Sequence, residues 1–304
     1  MSMSEHNYNN EKSLPIRAHL EAGLEHTEGD LVDHLLGRFP EELQDRLSEE
    51  IEEFTEPEAI EYLTTKLTNR LFTLRDRGID HLRMAGVEIG NEDPLSFLQN
   101  IETSRQAGPD AELGNGKNGE VLRSLLNRGS CIKALFLERA QQLASTAARE
   151  ALLQQTAARI LTSTPSAAQV PKVMRFIDHK DVRAIQMEEI DGVNLASILD
   201  GENPFPEGFD IDVFFEKLEM AIEILNENGL FHRDLLNNAG NVMIDKGGNP
   251  WVIDFGRAIR SADSEHSGRT YQVYPGGPFI SATDKAGVVK LKQKVRLFVS
   301  NHNG

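Results

Sequence analysis

Two polar clusters joined by a turn constrain this chain most. Phe231-His232-Arg233-Asp234 leads through residues 235–240 into Asn241-Val242-Met243-Ile244, and Trp251-Val252-Ile253 runs into Asp254-Phe255-Gly256. Between the two apolar runs, Asp245-Lys246-Gly247-Gly248-Asn249 has turn chemistry, so the runs predict a β-hairpin. An asparagine at the entrance of one strand and an aspartate at the exit of the other bring two oxygen ligands to one place. Oxygen-only ligation suits Mg²⁺, which keeps several waters and binds together with phosphates.

A second feature lies upstream. Residues 113–121, Leu-Gly-Asn-Gly-Lys-Asn-Gly-Glu-Val, contain G-x-G-x-x-G-x-V. Glycines permit a tight hairpin whose N–H groups approach phosphates closely. A dinucleotide site needs a helix directly after the glycines. Here residues 121–126 run instead into the turn 127–130 and the short apolar run Cys131-Ile132-Lys133-Ala134-Leu135-Phe136, which reads as hairpin and strand. Lys133 inside that run is either a surface lysine on an edge strand or a phosphate-binding lysine beside the glycine loop. A long Ala/Leu/Gln helix is predicted over 137–161, with Glu150 at its middle on the side of Ala147 and Leu153. Alone, Glu150 reads as a solvated helix residue; it gains meaning if Lys133 needs a carboxylate. Strands are predicted at 173–176 and 182–187, a loop at 188–192, and an amphipathic helix over 214–228.

The N-terminal third differs in charge. Residues 1–105 carry 10 Lys+Arg against 23 Asp+Glu, whereas the remainder is nearly balanced at 22 against 25, within a total of −16. An acid-rich chain is a poor general nucleic-acid binder and does not favour an anionic membrane surface. Cys131 is the single cysteine, which excludes an internal disulfide and points to a reducing compartment. The apolar runs fall short of a membrane span, and the first residues lack the apolar stretch of a secretory signal. Residues 1–13 are Ser/Asn/Glu-rich and are expected to be disordered. Over 14–105, leucine stripes predict an acidic helical region: Leu43, Leu47, Ile51 and Phe54, then Ile60, Leu63, Leu67, Leu71 and Leu74. Thr55 and Glu58 form a capping-box pattern, and Asp93-Pro94 starts another helix. These stripes read as core, with a docking surface for a partner as the sharper alternative. Residues 106–110 read as a linker.

From about Asp110 onward the sequence resembles the protein-kinase superfamily. The resemblance implies a bilobal α+β fold with a minimal C-lobe over 111–304, preceded by the small all-α region. It implies that Gly114, Gly116 and Gly119 cover the phosphates of ATP and that Val121 packs on the adenine. Lys133, in Ser130-Cys131-Ile132-Lys133, would hold the α- and β-phosphates, with Glu150 as its helix partner and Glu138 as the alternative. Met187-Glu188-Glu189-Ile190 resembles the hinge, where Glu188 and Ile190 meet the adenine edge, and Met243 joins the nucleotide contacts. Asp234 would be the catalytic base, and Asp254 would bind Mg²⁺, or Mn²⁺ in its place.

The match departs from the family in two places. The family's second metal-binding asparagine lies five residues after the base, where this chain has Ala239. Asn238 and Asn241 flank it; Asn241 is preferred because it leads into the apolar run and precedes Asp254 by 13 residues. Only 48 residues follow Gly256, enough for one closing helix over 283–299, whose Asp284 would bond the catalytic-loop backbone. This compact form is similar to the type III-secreted effector kinases of Gram-negative pathogens, the OspG/NleH group. That similarity implies delivery into host cytoplasm, a host protein as substrate, and a host activator or secretion chaperone as further partners. Serine/threonine specificity is the expectation, with Ser261, Ser264, Ser267, Thr270 and Tyr271 as candidate autophosphorylation sites. A pseudokinase-like binding module, or a kinase fold that transfers another group or acts on a small molecule, stands as the alternative.

Overall fold

A computed structural model of the 304-residue chain describes residues 31–36, 41–116, 119–136, 144–179, 181–236, 238–260 and 282–302. The described part opens with three helices: α1 (Leu31–Leu36), α2 (Glu41–Ile51) and α3 (Glu56–Met84). The start of α3 follows the capping-box pattern: the Thr55 N–H and hydroxyl donate to the Glu58 carboxylate at 2.9 and 2.7 Å. Leu35, Leu47, Ile51, Ala59, Leu63 and Leu67 bury together, so this leucine stripe is core. Phe54 departs from the expected stripe and is 40% exposed. Helix α2 ends at Ile51, and Phe54 sits in the following turn with its ring edge on Tyr62, 5.4 Å between centroids.

Alternating and short apolar runs then build a six-stranded sheet. Its strands are β1 (Glu88–Ile89), β2 (Glu112–Asn115), β3 (Gly119–Arg123), β4 (Ser130–Leu135), β5 (Val173–His179) and β6 (Val182–Glu188). The spatial order is β1-β5-β6-β4-β3-β2; β1 joins β5 in parallel and the other neighbours are antiparallel. Successive β4 side chains point to opposite faces. Cys131 faces α5 (Ala144–Thr162) in a cluster with Ala147, Ala151, Phe176 and Ile185. Ile132 and Ala134 face the other way, under Phe97 and Ile101 of α4 (Pro94–Gln106). Asp93 caps α4 by accepting the Ser96 N–H at 3.2 Å. The N-terminal region thus covers the sheet on its outer face through α4 and extends its edge through β1. Its third contact is the end of α3, where Ile79 and Leu82 pack with Ala147 and Ala148 of α5.

The second half is mainly helical. It holds β7 (Gly192–Asn194), α6 (Leu195–Leu199), α7 (Ile211–Glu227), β8 (Leu230–Phe231), β9 (Val242–Asp245), β10 (Pro250–Val252), β11 (Ile259–Arg260) and α8 (Ala282–His302). The predicted hairpin is β9–β10, with Met243 opposite Trp251 and β7 on the other side of β9. One face of α7, with Phe214, Phe215, Leu218, Ile222 and Leu225, buries against Val288, Leu291 and Val295 of α8. Each such side chain is worth roughly 1.5–3 kcal/mol on burial, so this face anchors the half that carries the polar clusters. No helix among the described residues is long and apolar enough to cross a membrane.

Candidate active site

Lys133 sits on β4 opposite Val121 of β3 and Ile185 of β6, which fixes its stem between two strands. Its Nζ donates to Glu150 Oε1 at 2.5 Å and to Asp254 Oδ1 at 3.3 Å. The Lys133 and Glu150 side chains are only 16% and 11% exposed, whereas Asp254 is half-exposed. Burial disfavours the ammonium, but Glu150 and Asp254 outweigh it and hold the Lys133 pKa above its ordinary 10.5. Burial likewise raises the Asp254 carboxyl, yet Lys133 and the Gly256 N–H draw it below 3.8. The three groups therefore form one charged cluster joining strand, helix and the second polar cluster.

The first polar cluster is tied to α8. The Asp284 carboxylate accepts the N–H groups of His232 and Arg233, both at 2.7 Å. This is the backbone bond that the resemblance assigned to Asp284. His232 Nε2 donates to the Ile253 carbonyl at 2.9 Å, while its Nδ1 accepts the Asp234 N–H at 3.3 Å. In those two bonds Nε2 is the donor and Nδ1 the acceptor, which fixes the orientation of the ring. Arg233 and Asp254 have φ of +66° and +62°. Positive φ at non-glycine residues costs of order 1–3 kcal/mol each and needs surroundings that enforce it, and here both flank the same cleft. Phe255, fully buried beside His232 with ring centroids 4.9 Å apart, packs in the core with Leu153 of α5.

Asp234 is held at both oxygens. Oδ2 accepts the side-chain amides of Asn238 and Asn241 at 3.2 and 3.0 Å, and Oδ1 accepts Arg257 Nη1 at 3.0 Å. Asn241 also donates to the Asp234 carbonyl at 2.9 Å, and its own carbonyl accepts the Ile253 N–H at 3.0 Å. This places Asn241 directly beside the segment that leads from β10 to Asp254, whereas the Asn238 side-chain amide donates to Asp234 and its backbone carbonyl accepts the Asn241 N–H at 3.3 Å. Arg257 carries no signal in the sequence reading, since it lies in a polar stretch 23 residues from Asp234.

Residues 109–279 match the protein kinase domain family. The chain belongs to that family. Two plant proteins are similar over shorter stretches. "Mitogen-activated protein kinase kinase kinase 3" of Arabidopsis thaliana is 30% identical over 89 residues, 28% of this chain and 13% of that protein. "Mitogen-activated protein kinase kinase kinase ANP1" of Arabidopsis thaliana is 24% identical over 153 residues, 50% of this chain and 22% of that protein.

The residues that the resemblance assigned to the nucleotide lie as follows. Gly114 and Gly116 lie at the β2–β3 turn, closed by a 2.8 Å bond from the Gly116 N–H to the Gly119 carbonyl. Residues 117–118 at the tip lie outside the described residues. Gly119 is a packing glycine: a Cβ there would collide with the Ala134 carbonyl oxygen of β4, whereas a Cβ on Gly114 meets nothing within 4 Å. In the stretch expected to act as a hinge, the Glu188 N–H donates to the Lys172 carbonyl and the Glu189 N–H to the Gly129 carbonyl. The Glu188 carbonyl accepts the Cys131 thiol at 3.8 Å, a weak partner that leaves acceptor capacity. Burial and then Glu189 push the Cys131 thiol up to about 12. Ile190 follows in the same stretch, partly exposed, and Met243 stands at the middle of the β7–β9–β10 sheet. Glu138 and the candidate autophosphorylation residues Ser261, Ser264, Ser267, Thr270 and Tyr271 lie outside the described residues.

Metal binding by protein kinases is generally divalent, and the donors here suit a hard cation. With the Asn241 amide nitrogen spent on Asp234, its remaining side-chain donor is oxygen, and Asp254 contributes a half-exposed carboxylate. Among the described residues no cluster of three or more His, Cys, Asp or Glu is placed to hold a metal by itself. Phosphate and water oxygens would complete such a site.

Proposed function

We propose that the chain is an ATP- and Mg²⁺-dependent protein kinase of the serine/threonine kind. The observation that carries this reading is the buried Lys133, held between Glu150 and Asp254, across the cleft from an Asp234 locked by Asn241. In the transfer, the acceptor hydroxyl oxygen bonds to the γ-phosphorus. The bond to the β,γ-bridging oxygen breaks, and its electron pair leaves with ADP. Asp234 takes the hydroxyl proton, Lys133 orients the α- and β-phosphates, and Glu150 keeps Lys133 in place. Bound Mg²⁺ supplies charge neutralisation on the phosphates, held by Asn241 and Asp254. Gly114, Gly116, Gly119, Val121, Glu188, Ile190 and Met243 line the nucleotide side.

The hydroxyl belongs to a protein in this proposal, a reading supported by the protein-kinase relatives and by the match of residues 109–279. A host protein met after type III export extends the proposal and rests on the resemblance to compact effector kinases. A translocation-reporter fusion tests that extension. The core reading is tested by γ-labelled ATP with purified wild type, Asp234→Ala and Lys133→Ala, on generic acceptors and in a host-cell lysate. Transfer by wild type and loss in both variants supports it. Nucleotide binding without transfer in either setting overturns it in favour of a binding module, and label from the α-position indicates another transferred group.

A further inference from the structure

The stretch between Asp234 and Asn241 is Leu-Leu-Asn-Asn-Ala-Gly, with no lysine, arginine or histidine. The cation at the base comes from elsewhere. Arg257 ends the short 3₁₀ turn Phe255–Arg257 and places Nη1 3.0 Å from Asp234 Oδ1. The turn is aimed by Asp254, whose φ of +62° redirects the chain and whose carboxylate accepts the Gly256 N–H.

We propose that Arg257 is a catalytic residue of the phosphoryl transfer, contacting the γ-phosphoryl group as charge builds on it. This rests on the kinase reading above. The distances carry it. A general base lies about 3 Å from the hydroxyl it deprotonates, and that hydroxyl lies about 3–3.5 Å from the phosphorus it attacks. The γ-phosphorus therefore stands no farther than about 6.5 Å from Asp234 Oδ1, within the span of a guanidinium already anchored at that oxygen. A guanidinium has five N–H donors in a planar fork; one bond to Asp234 leaves donors for phosphate oxygens. Lys133, paired with Glu150 and Asp254, is assigned to the α- and β-phosphates and leaves the γ-phosphoryl group to another cation. The same bond orients the base. Oδ2 is occupied by Asn238 and Asn241, so Oδ1, which keeps a second lone pair beside Arg257, is the oxygen that accepts the hydroxyl proton.

The test compares wild type, Arg257→Ala, Arg257→Gln, Arg257→Lys and Asp234→Ala, each first shown to melt cooperatively and to bind ADP with Mg²⁺. Loss of one preorganised donor to a developing charge costs about 10²-fold or more in kcat. Arg257→Ala and Arg257→Gln are expected to lose about that in kcat with little change in the KM for ATP. Arg257→Lys is expected to keep part of the rate, and methylguanidine is expected to restore part of it to Arg257→Ala. Binding gives an independent readout. ADP affinity stays within about twofold, while affinity for ADP with aluminium fluoride, a planar mimic of the transferring group, falls at least tenfold. Unimpaired transfer by Arg257→Ala and Arg257→Gln overturns the proposal alone. So does a rise in kcat, which would make the ion pair a latch that withholds the base. A wild type that transfers nothing removes the kinase reading and this proposal together.

Discussion

Gly78 of α3 lies against Ala148 of α5 so closely that a Cβ on Gly78 would stand 3.1 Å from the Ala148 Cβ. Two small residues let the helices meet, and α5 carries Glu150 to Lys133. The N-terminal region therefore braces the helix on which the buried ion pair depends. Gly78→Leu forces the helices apart and is expected to cost about 1–3 kcal/mol, the usual price of overpacking. It should also lower the transfer rate. Gly78→Ala should sit near neutral, because the gain in helix propensity offsets the crowding. Thermal unfolding beside a transfer assay checks both, and a Gly78→Leu protein with unchanged melting and rate would show that α3 is a passive neighbour.

This brace was hidden in the sequence for a physical reason. A stripe gives the period of a helix, not its partner. The first half of α3 buries Leu63 and Leu67 against α1 and α2, while its second half turns Ile79 and Leu82 to α5. Strand β1, only two residues long, is too short to show alternation. The polar clusters were legible because their spacing is local: the β9–β10 turn alone brings Asn241 beside Ile253. Arg257 was not, since its approach to Asp234 depends on the backbone turn at Asp254.

Asp284 holds the first polar cluster through the buried N–H of His232 and the part-buried N–H of the strained Arg233. Replacing it by alanine leaves both donors without an acceptor, at about 1–3 kcal/mol each. Asp284→Ala is expected to destabilise by several kcal/mol and to reduce transfer further than the lost folded fraction explains, because Asp234 follows Arg233 directly. Chemical denaturation paired with rates corrected for folded protein separates the two effects. A variant with a normal rate per folded molecule would refute the positioning role.

The glycines of the β2–β3 hairpin should not respond alike. Gly119→Ala drives a methyl into the Ala134 carbonyl and approaches Leu135 Cα at 2.9 Å, so β3 and β4 must part. A loss of about 1–3 kcal/mol is expected, with Lys133 displaced along with β4. Gly114→Ala meets open space and should leave melting unchanged while altering the KM for ATP. Equal melting temperatures for the two variants would contradict this division between packing and phosphate approach.

Asp245 makes the β9–β10 turn sensitive to acid. Its carboxylate accepts the N–H groups of Gly247 and Asn249 at 2.9 and 2.8 Å and the Trp251 indole N–H at 3.1 Å. Partial burial pushes its pKa up, but the donors on Asn249, Trp251 and Gly247 together outweigh burial and hold it below its ordinary 3.8. A carboxyl whose pKa is lowered by folding contributes stability that is complete above its unfolded value and disappears as pH falls through the folded value. Asp245→Asn keeps the shape and removes that charge. At pH 7 it should cost about 1 kcal/mol, reduced from a buried charge's share because solvent screens the group. Below about pH 4 the difference from wild type should shrink, because the wild-type carboxyl then protonates too. Urea unfolding of both proteins at pH 7, 4 and 3 measures the gap. A gap that stays constant or widens toward pH 3 would mean that the Asp245 charge does not stabilise the turn.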